Sequence, residues 1–302
     1  MNTYNNLKIL NSDDNFLAIS NEFSSFDNSK VVILQAPYEH TVSYGGGTKN
    51  GPKAILESSH FVEFYDDEFD RELCFEIGIC TLDEIDFNGL VDEKALSLIK
   101  ENVSSLLSKN KFVVTLGGEH TISSAPIKSH FEKFPNMSVL QFDAHSDLRE
   151  SYQDNEYSHA SIMARVKDFF SSDKIFQVGI RALCVEEAKF IKDNNVNTYF
   201  ASSIKREIYS SNWIEKMVSN MSDEIYITFD VDYFDPAIMP STGTPEPDGF
   251  LYNDALEIFR EIKKQKKKII GFDIVELSPI ENLNHPDILT SRLLYKLLNF
   301  SF

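Results

Sequence analysis

The chain has 302 residues and a formal net charge of −18, a balance that argues against a nucleic-acid binder, for which a basic face is expected. It holds no apolar run of about 20 residues, as a membrane-spanning helix would need, and no Pro/Gly/Ser-rich linker divides it. Apolar residues make up 42% of the chain, enough to build one sizeable core. The first stretch is polar, with Asn11-Ser-Asp-Asp-Asn15 and Ser24-Ser-Phe-Asp-Asn-Ser29. Residues 1–30 therefore read as an N-terminal extension suited to packing on a neighbouring subunit, and residues 31–302 as a single domain. Val31-Val-Ile-Leu-Gln35 is strand-like, and Gly51-Pro52 opens a helix over 53–64, proline being tolerated in a first helical turn. Helical periodicity over 94–108 precedes a strand at 112–116; a helix at 121–134, a strand at 138–142 and a helix at 160–170 follow. A strand at 174–178, helices at 185–194 and 213–220, a strand at 225–229, a helix at 253–265, a strand at 269–275 and a helix at 288–298 complete the series. This alternation predicts an α/β fold: a three-layer α/β/α sandwich around a central, mainly parallel sheet. Lys263-Lys264-Gln-Lys266-Lys267-Lys268 is the one basic run. It sits at the end of the 253–265 helix, where cations complement the helix dipole, so it signals no nucleic-acid site.

The chemistry gathers where strands end. Gly117-Gly-Glu-His120, Asp143-Ala-His145-Ser-Asp147 and Asp230-Val-Asp232 each follow a short β-branched or aromatic run. Ligands of open parallel sheets collect beyond the carboxyl ends of the strands, so His120, Asp143, His145, Asp147, Asp230 and Asp232 are expected at one edge together. Four carboxylates in a small volume repel one another unless cations compensate them, and two divalent ions are the simplest compensation. The two-residue spacing within 143–147 and 230–232 puts the side chains on one side if the backbone stays extended. Six ligands for two ions leave positions open for water and substrate, as a catalytic site requires. Oxygen and imidazole donors without thiolate favour Mn²⁺, with Zn²⁺, Fe²⁺, Co²⁺ or Ni²⁺ as alternatives. Glu276 stands at a further strand end, after the 269–275 run, where a carboxylate can hold a planar cation through paired N–H···O bonds. His159, in Tyr157-Ser-His-Ala-Ser161, follows the loop leaving Asp147, and an imidazole titrates near neutral pH.

These segments resemble the signatures of the ureohydrolases, the arginase/agmatinase family. The match takes in Gly117–His120, Phe142–Asp147, Thr228-Phe-Asp-Val-Asp-Tyr-Phe-Asp-Pro236, Ser241-Thr-Gly-Thr-Pro245, Phe272-Asp-Ile-Val-Glu-Leu-Ser-Pro279 and the glycine-rich Ser43–Ile55. The resemblance extends over roughly residues 30–300 and implies the same three-layer sandwich. It implies two Mn²⁺ per subunit and hydrolysis of a guanidinium group to urea by a metal-bridging hydroxide. His120 and Asp147 would serve one ion, His145 and Asp232 the other, and Asp143 and Asp230 both. Glu276 and His159 would be the catalytic residues, and a homotrimer or homohexamer the assembly. The substrate expected is agmatine, giving putrescine and urea and placing the enzyme in polyamine biosynthesis. Guanidinobutyrate, aminopropylagmatine, arginine and formimidoylglutamate are the alternatives, and a non-catalytic polyamine-binding member the reading from another class.

Specificity rests on four expectations. In arginases the loop after Asp-Ala-His-x-Asp carries polar groups for the arginine carboxylate and amine. Here Leu148–His159 lacks that pattern, and its acids Glu150, Asp154 and Glu156 are expected to receive a second cation. Arg149 reads as a surface salt-bridge residue, with a substrate carboxylate as the alternative partner. Asp248 stands where agmatinases carry glycine, an extra acid that would favour a longer polycation. Tyr44-Gly-Gly-Gly-Thr48 replaces the family's Tyr-Arg-Pro-Gly-Thr, which suggests a more flexible loop. His40 is expected to line the entrance or to lie in solvent, and His60, His130 and His285 carry no assigned role. Met1–Lys8 lacks the pattern of a secretory signal. Cys74, Cys80 and Cys184 fit neither a zinc motif nor a disulfide framework, and a reducing, cytoplasmic setting is expected.

Overall fold

The computed structural model describes residues 3–302. Eight parallel strands form its central sheet: β1 (Val31–Ala36), β2 (Ile79–Glu84), β3 (Phe112–Gly117), β4 (Ser138–Phe142), β5 (Ile175–Ile180), β6 (Asn197–Phe200), β7 (Glu224–Asp230) and β8 (Lys268–Val275). Their order across the sheet is β2-β1-β3-β8-β7-β4-β5-β6, so the last two strands insert between β3 and β4. The expected sandwich is present, and every pairing is parallel.

The inner strands are nearly continuous apolar runs because both faces are covered. Side chains alternate with the pleat. Val31 and Ile33 of β1 pack with Ile55 and Leu56 of α1 (Gly51–Ser59) and with α9 (His285–Ser301), whereas Val32 and Leu34 face Ile99 and Val103 of α2 (Asp92–Ser108). On the first face lie also α7 (Trp213–Asn220) and α8 (Tyr252–Lys264), through Met217 and Phe259. On the second lie α3 (Ser124–Lys133) and α4 (Ile162–Lys167), through Ile127 and Met163, and α5 (Val185–Asp193) through Ile191. A five-residue helix, α6 (Ala201–Lys205), follows β6.

Two strands of the sheet carried no sequence expectation. Both are edge strands: β2 ends in the polar Asp83 and Glu84, and all four residues of β6 are only half-buried, so neither reads as a core run. Part of the N-terminal stretch, expected to reach a neighbouring subunit, packs on this chain. Phe16 and Leu17 are buried in its core, and the Asn15 amide carbonyl accepts the Thr81 backbone N–H of β2 at 2.8 Å. Cys74, Cys80 and Cys184 are free thiols, the first two buried. No helix among the described residues is long and apolar enough to cross a membrane.

Candidate metal centre and active site

Every group that faces the main cleft arrives from the carboxyl end of a strand. His120 follows β3, Glu276 follows β8, Asp230 ends β7 and Asp232 follows it, and Asp143–Asp147 follow β4. The cleft holds a cavity of about 240 Å³.

The six expected ligands come together, in two groups that share one residue. His120, Asp143 and Asp147 form the first, and Asp143, His145 and Asp232 the second, with ligand atoms in each within 4.8 Å of one another. Asp230 Oδ2 lies 3.4 Å from His120 Nδ1, on the first group. The local backbone differs from the extended form that the spacing suggested. Asp143 turns back so that its Oδ1 accepts the His145 backbone N–H at 2.6 Å, and Asp230 caps a single tight turn by accepting the Asp232 N–H at 2.8 Å. Asp147 and Glu276 adopt left-handed backbone, φ 54° and 66°, a conformation that costs a non-glycine residue on the order of 1–3 kcal/mol. That strain aims two carboxylates into the cleft.

The donor set fits a pair of divalent cations, and His120 gives the clearest test. Asp273 Oδ1 accepts the Thr228 hydroxyl at 2.7 Å, so the Thr228 oxygen is left to accept from His120 Nε2 at 2.9 Å. With its proton on Nε2, His120 presents the Nδ1 lone pair to Asp143 and Asp147, 3.0 Å from each. That buried nitrogen has no hydrogen-bond partner. A lone pair facing carboxylates is repulsive until a cation sits between them. Electrostatics gives the same answer. Burial disfavours a charged His120, yet Asp143 and Asp147 outweigh it and raise the imidazole well above 6.5; for His145 burial is likewise outweighed by Asp232 and Asp143. Asp147 is pushed up to about 7 by burial and the Asp143 charge. Burial and then its acidic neighbours raise Asp230 well above the usual range. The site attracts positive charge, and protons take that place where cations are absent.

Glu276 Oε1 accepts the His120 backbone N–H at 2.6 Å, and burial pushes its carboxyl up to about 8 despite that bond. His159 lines the cavity. Burial and the nearby His145 hold its ring down at about 4, so it is neutral at pH 7, whereas the sequence pointed to an imidazole titrating near neutrality. Sequence reasoning missed Thr228 and Asp273; the signal was an acid inside the apolar β8 run. It missed Arg181 as well, whose guanidinium donates to the carbonyls of Asp232 (2.7 Å), Glu246 (2.9 Å) and Pro247 (3.1 Å) and so ties the rim loop to the ligand turn.

Three of the four specificity expectations change, and Arg149 is the salt-bridge residue expected. Glu150 and Glu156 bind Arg165, at 3.3 and 2.8 Å, and Glu150 also binds Lys167 at 2.8 Å. Neither they nor Asp154 line the cavity. Asp248 is exposed and paired with Lys205 at 2.6 Å, again off the cavity. Arg149 does line the cavity, but it pairs with Glu187 at 3.5 Å and stacks over Tyr152. The glycine loop is pinned rather than flexible: Glu39 accepts the Gly47 N–H and the Thr48 hydroxyl, and Gly45 donates to the Gly243 carbonyl at 3.1 Å. A Cβ on Gly45 would lie 2.8 Å from that carbonyl oxygen, and one on Gly47, at φ 117°, would lie 2.8 Å from Ser278 Oγ. Gly47→Ala should therefore cost about 1–3 kcal/mol, read as a lowered midpoint in urea titration; an unchanged midpoint would show that the loop yields.

A three-layer α/β/α sandwich with an Asp/His cluster at its strand ends, suited to a pair of divalent cations, is the class that fold and site define. The arginase family model matches residues 29–299. The N(1)-aminopropylagmatine ureohydrolase of a Synechocystis species is 32% identical over 288 residues, 93% of this chain and 92% of its own. The agmatinase of Bacillus cereus is 34% identical over 257 residues, 85% and 86% of the two chains. The agmatine ureohydrolase structure from Thermoplasma volcanium superposes with a TM-score of 0.79 at 27% identity, across 95% of this chain and 94% of that one. The chain belongs to the arginase family, and it is a ureohydrolase of the arginase/agmatinase type.

Proposed function

We propose that the enzyme hydrolyses agmatine to putrescine and urea with two Mn²⁺ ions. His120 and Asp147 would hold one ion, His145 and Asp232 the other, and Asp143 and Asp230 both. Bound there, the ions supply a nucleophile at neutral pH by acidifying water, and they favour the ionised form of nearby carboxylates. Glu276, ionised beside them, holds the flat guanidinium by paired hydrogen bonds and fixes the carbon to be attacked. His159 would take the proton that the attacking water gives up, at its free ring nitrogen, and return it to the departing amine nitrogen, which must be protonated before the C–N bond breaks.

The choice of a cationic tail rests on one observation. Of the charged side chains that line the cavity beyond the ligands and Glu276, Arg149 and Glu187 satisfy each other. Glu246 alone keeps a carboxylate without a basic partner closer than His145 Nε2, 4.0 Å away. It offers the distal ammonium of agmatine a counter-charge and offers a substrate carboxylate only repulsion. Aminopropylagmatine, also cationic at that end, is the second reading, favoured by the similarity to the Synechocystis enzyme. Urea release from Mn²⁺-loaded protein with agmatine, aminopropylagmatine, arginine and 4-guanidinobutyrate tests the proposal, and preference for either acid would overturn the tail assignment. Glu246→Gln should raise the KM for agmatine about tenfold, a loss of about 1.4 kcal/mol, with little change for an uncharged alkylguanidine. Equal effects on both substrates would assign Glu246 to His145 instead.

A further inference from the structure

The acid in Gly117-Gly-Glu119-His120 is not among the ligands and does not line the main cavity, yet it is buried at 2% exposure. Its partners account for it atom by atom. Glu119 Oε2 accepts the backbone N–H groups of His40 and Thr41, at 2.8 and 2.7 Å. Glu119 Oε1 accepts the Thr41 hydroxyl proton at 2.9 Å. A threonine hydroxyl has one proton and two lone pairs, so the Thr41 oxygen is left to accept. It does so twice, from the His159 backbone N–H at 3.1 Å and from His159 Nδ1 at 3.1 Å.

We infer that Glu119 and Thr41 are positioning residues that hold His159 as its Nδ1–H tautomer, leaving the Nε2 lone pair for the cavity. The inference rests on the reading of His159 as the proton carrier. The polarity runs one way through the three residues. The carboxylate can only accept, which orients the hydroxyl, and the oriented hydroxyl can only accept from the imidazole. Nε2 is then an acceptor for an N–H of a cationic substrate. When Nε2 takes up a proton, Nδ1–H keeps its bond to Thr41, so the ring changes charge without turning over. The chain also spans the fold: Thr41 lies beyond β1, Glu119 beyond β3 and His159 before α4. Three separate loops thus converge on one ring.

The substitution Glu119→Gln reverses this polarity without changing shape. Its amide carbonyl must face the two backbone N–H groups, which turns the amide NH₂ toward Thr41. The hydroxyl proton is then driven onto His159 Nδ1, and the ring must carry its own proton on Nε2. Ring-¹⁵N-histidine NMR on protein loaded with diamagnetic Zn²⁺ reads this directly, His159 being assigned by its loss in His159→Asn. Wild type and Thr41→Ser should show the Nδ1–H form, Glu119→Gln the Nε2–H form, and Thr41→Val a mixture. In the Mn²⁺ enzyme, kcat should fall at least about tenfold in Glu119→Gln and Thr41→Val and recover in Thr41→Ser, with bound metal unchanged. An Nε2–H ring in wild type, or an unaltered tautomer in both Glu119→Gln and Thr41→Val, would overturn the inference. A tautomer switch in a protein that cleaves no guanidine would leave it standing and sink the functional proposal alone.

Discussion

Asp143→Asn is expected to bind fewer than two divalent ions per chain and to release urea at least about a thousandfold more slowly, a loss of roughly 4 kcal/mol of transition-state stabilisation. Asp143 is the one residue common to both ligand groups. Its carboxylate is fully buried and kept ionised in spite of that burial by His120 and His145. Gln141 Nε2 donates to its Oδ2 at 2.7 Å, and Gln177 Nε2 in turn donates to Gln141 Oε1 at 2.7 Å, so the side chain is braced from behind and cannot swing away. An amide there offers one weaker donor atom and an NH₂ group that repels a cation. Metal content after dialysis, measured beside steady-state urea release, checks both halves. Two tightly held ions in a folded variant would remove Asp143 from its shared role.

Stripped of metal, the protein should lose stability as pH rises from 7 to 9, and Mn²⁺ should abolish that dependence. The sign follows from the proton balance. Asp147 and Glu276 are held up to about 7 and 8 in the fold, and His120 and His145 well above 6.5. Each therefore binds more protons folded than unfolded in this window, and stability falls as they titrate. His130 and His159 are shifted the other way, both to about 4, but their contribution changes only below about 6.5, the usual histidine value. Because ligands must shed protons to bind, metal affinity climbs over the same window. Mn²⁺ at about 100 times its Kd should add ~2.7 kcal/mol per site, roughly 5–10 °C in Tm at ~2–4 °C per kcal/mol. Melting curves with and without metal across the range are the check. A metal-free Tm that rises with pH would mean that the carboxylates are not in repulsion.

The convergence of the candidate ligands was legible because strand ends and chemistry coincide: Asp143, His145, Asp230 and Asp232 each stand at the end of an apolar run that reads as a buried strand. What holds them in place was not legible. Thr228 and Asp273 look like ordinary strand residues until β7 and β8 are laid side by side, and Thr41 meets His159 across a separation of 118 positions. The charge argument for Glu150 and Glu156 failed for a different reason. A cation supplied by the same chain, Arg165, nine residues beyond Glu156, competes for them on better terms than any substrate. Glu246, by contrast, drew no notice although Asp248 of the same loop did, and only the cavity wall reveals that its carboxylate has no basic partner closer than His145 Nε2. Edge strands β2 and β6 escaped because β6 is half-buried throughout and β2, though buried over Ile79–Leu82, ends in the acids Asp83 and Glu84.

The sheet order carries a consequence for how such a protein can change. The groups that face the cleft come from the six inner strands, and nothing in the cavity wall follows β2 or β6. Chemistry and periphery are thus built on different parts of one scaffold. Insertions, new pairing at a sheet edge or altered contacts with other chains can accumulate at the two flanks while the reacting atoms keep their places. Substrate range, in turn, can drift through the side chains of the rim loop, while Arg181 keeps its backbone tied to the turn that carries Asp232.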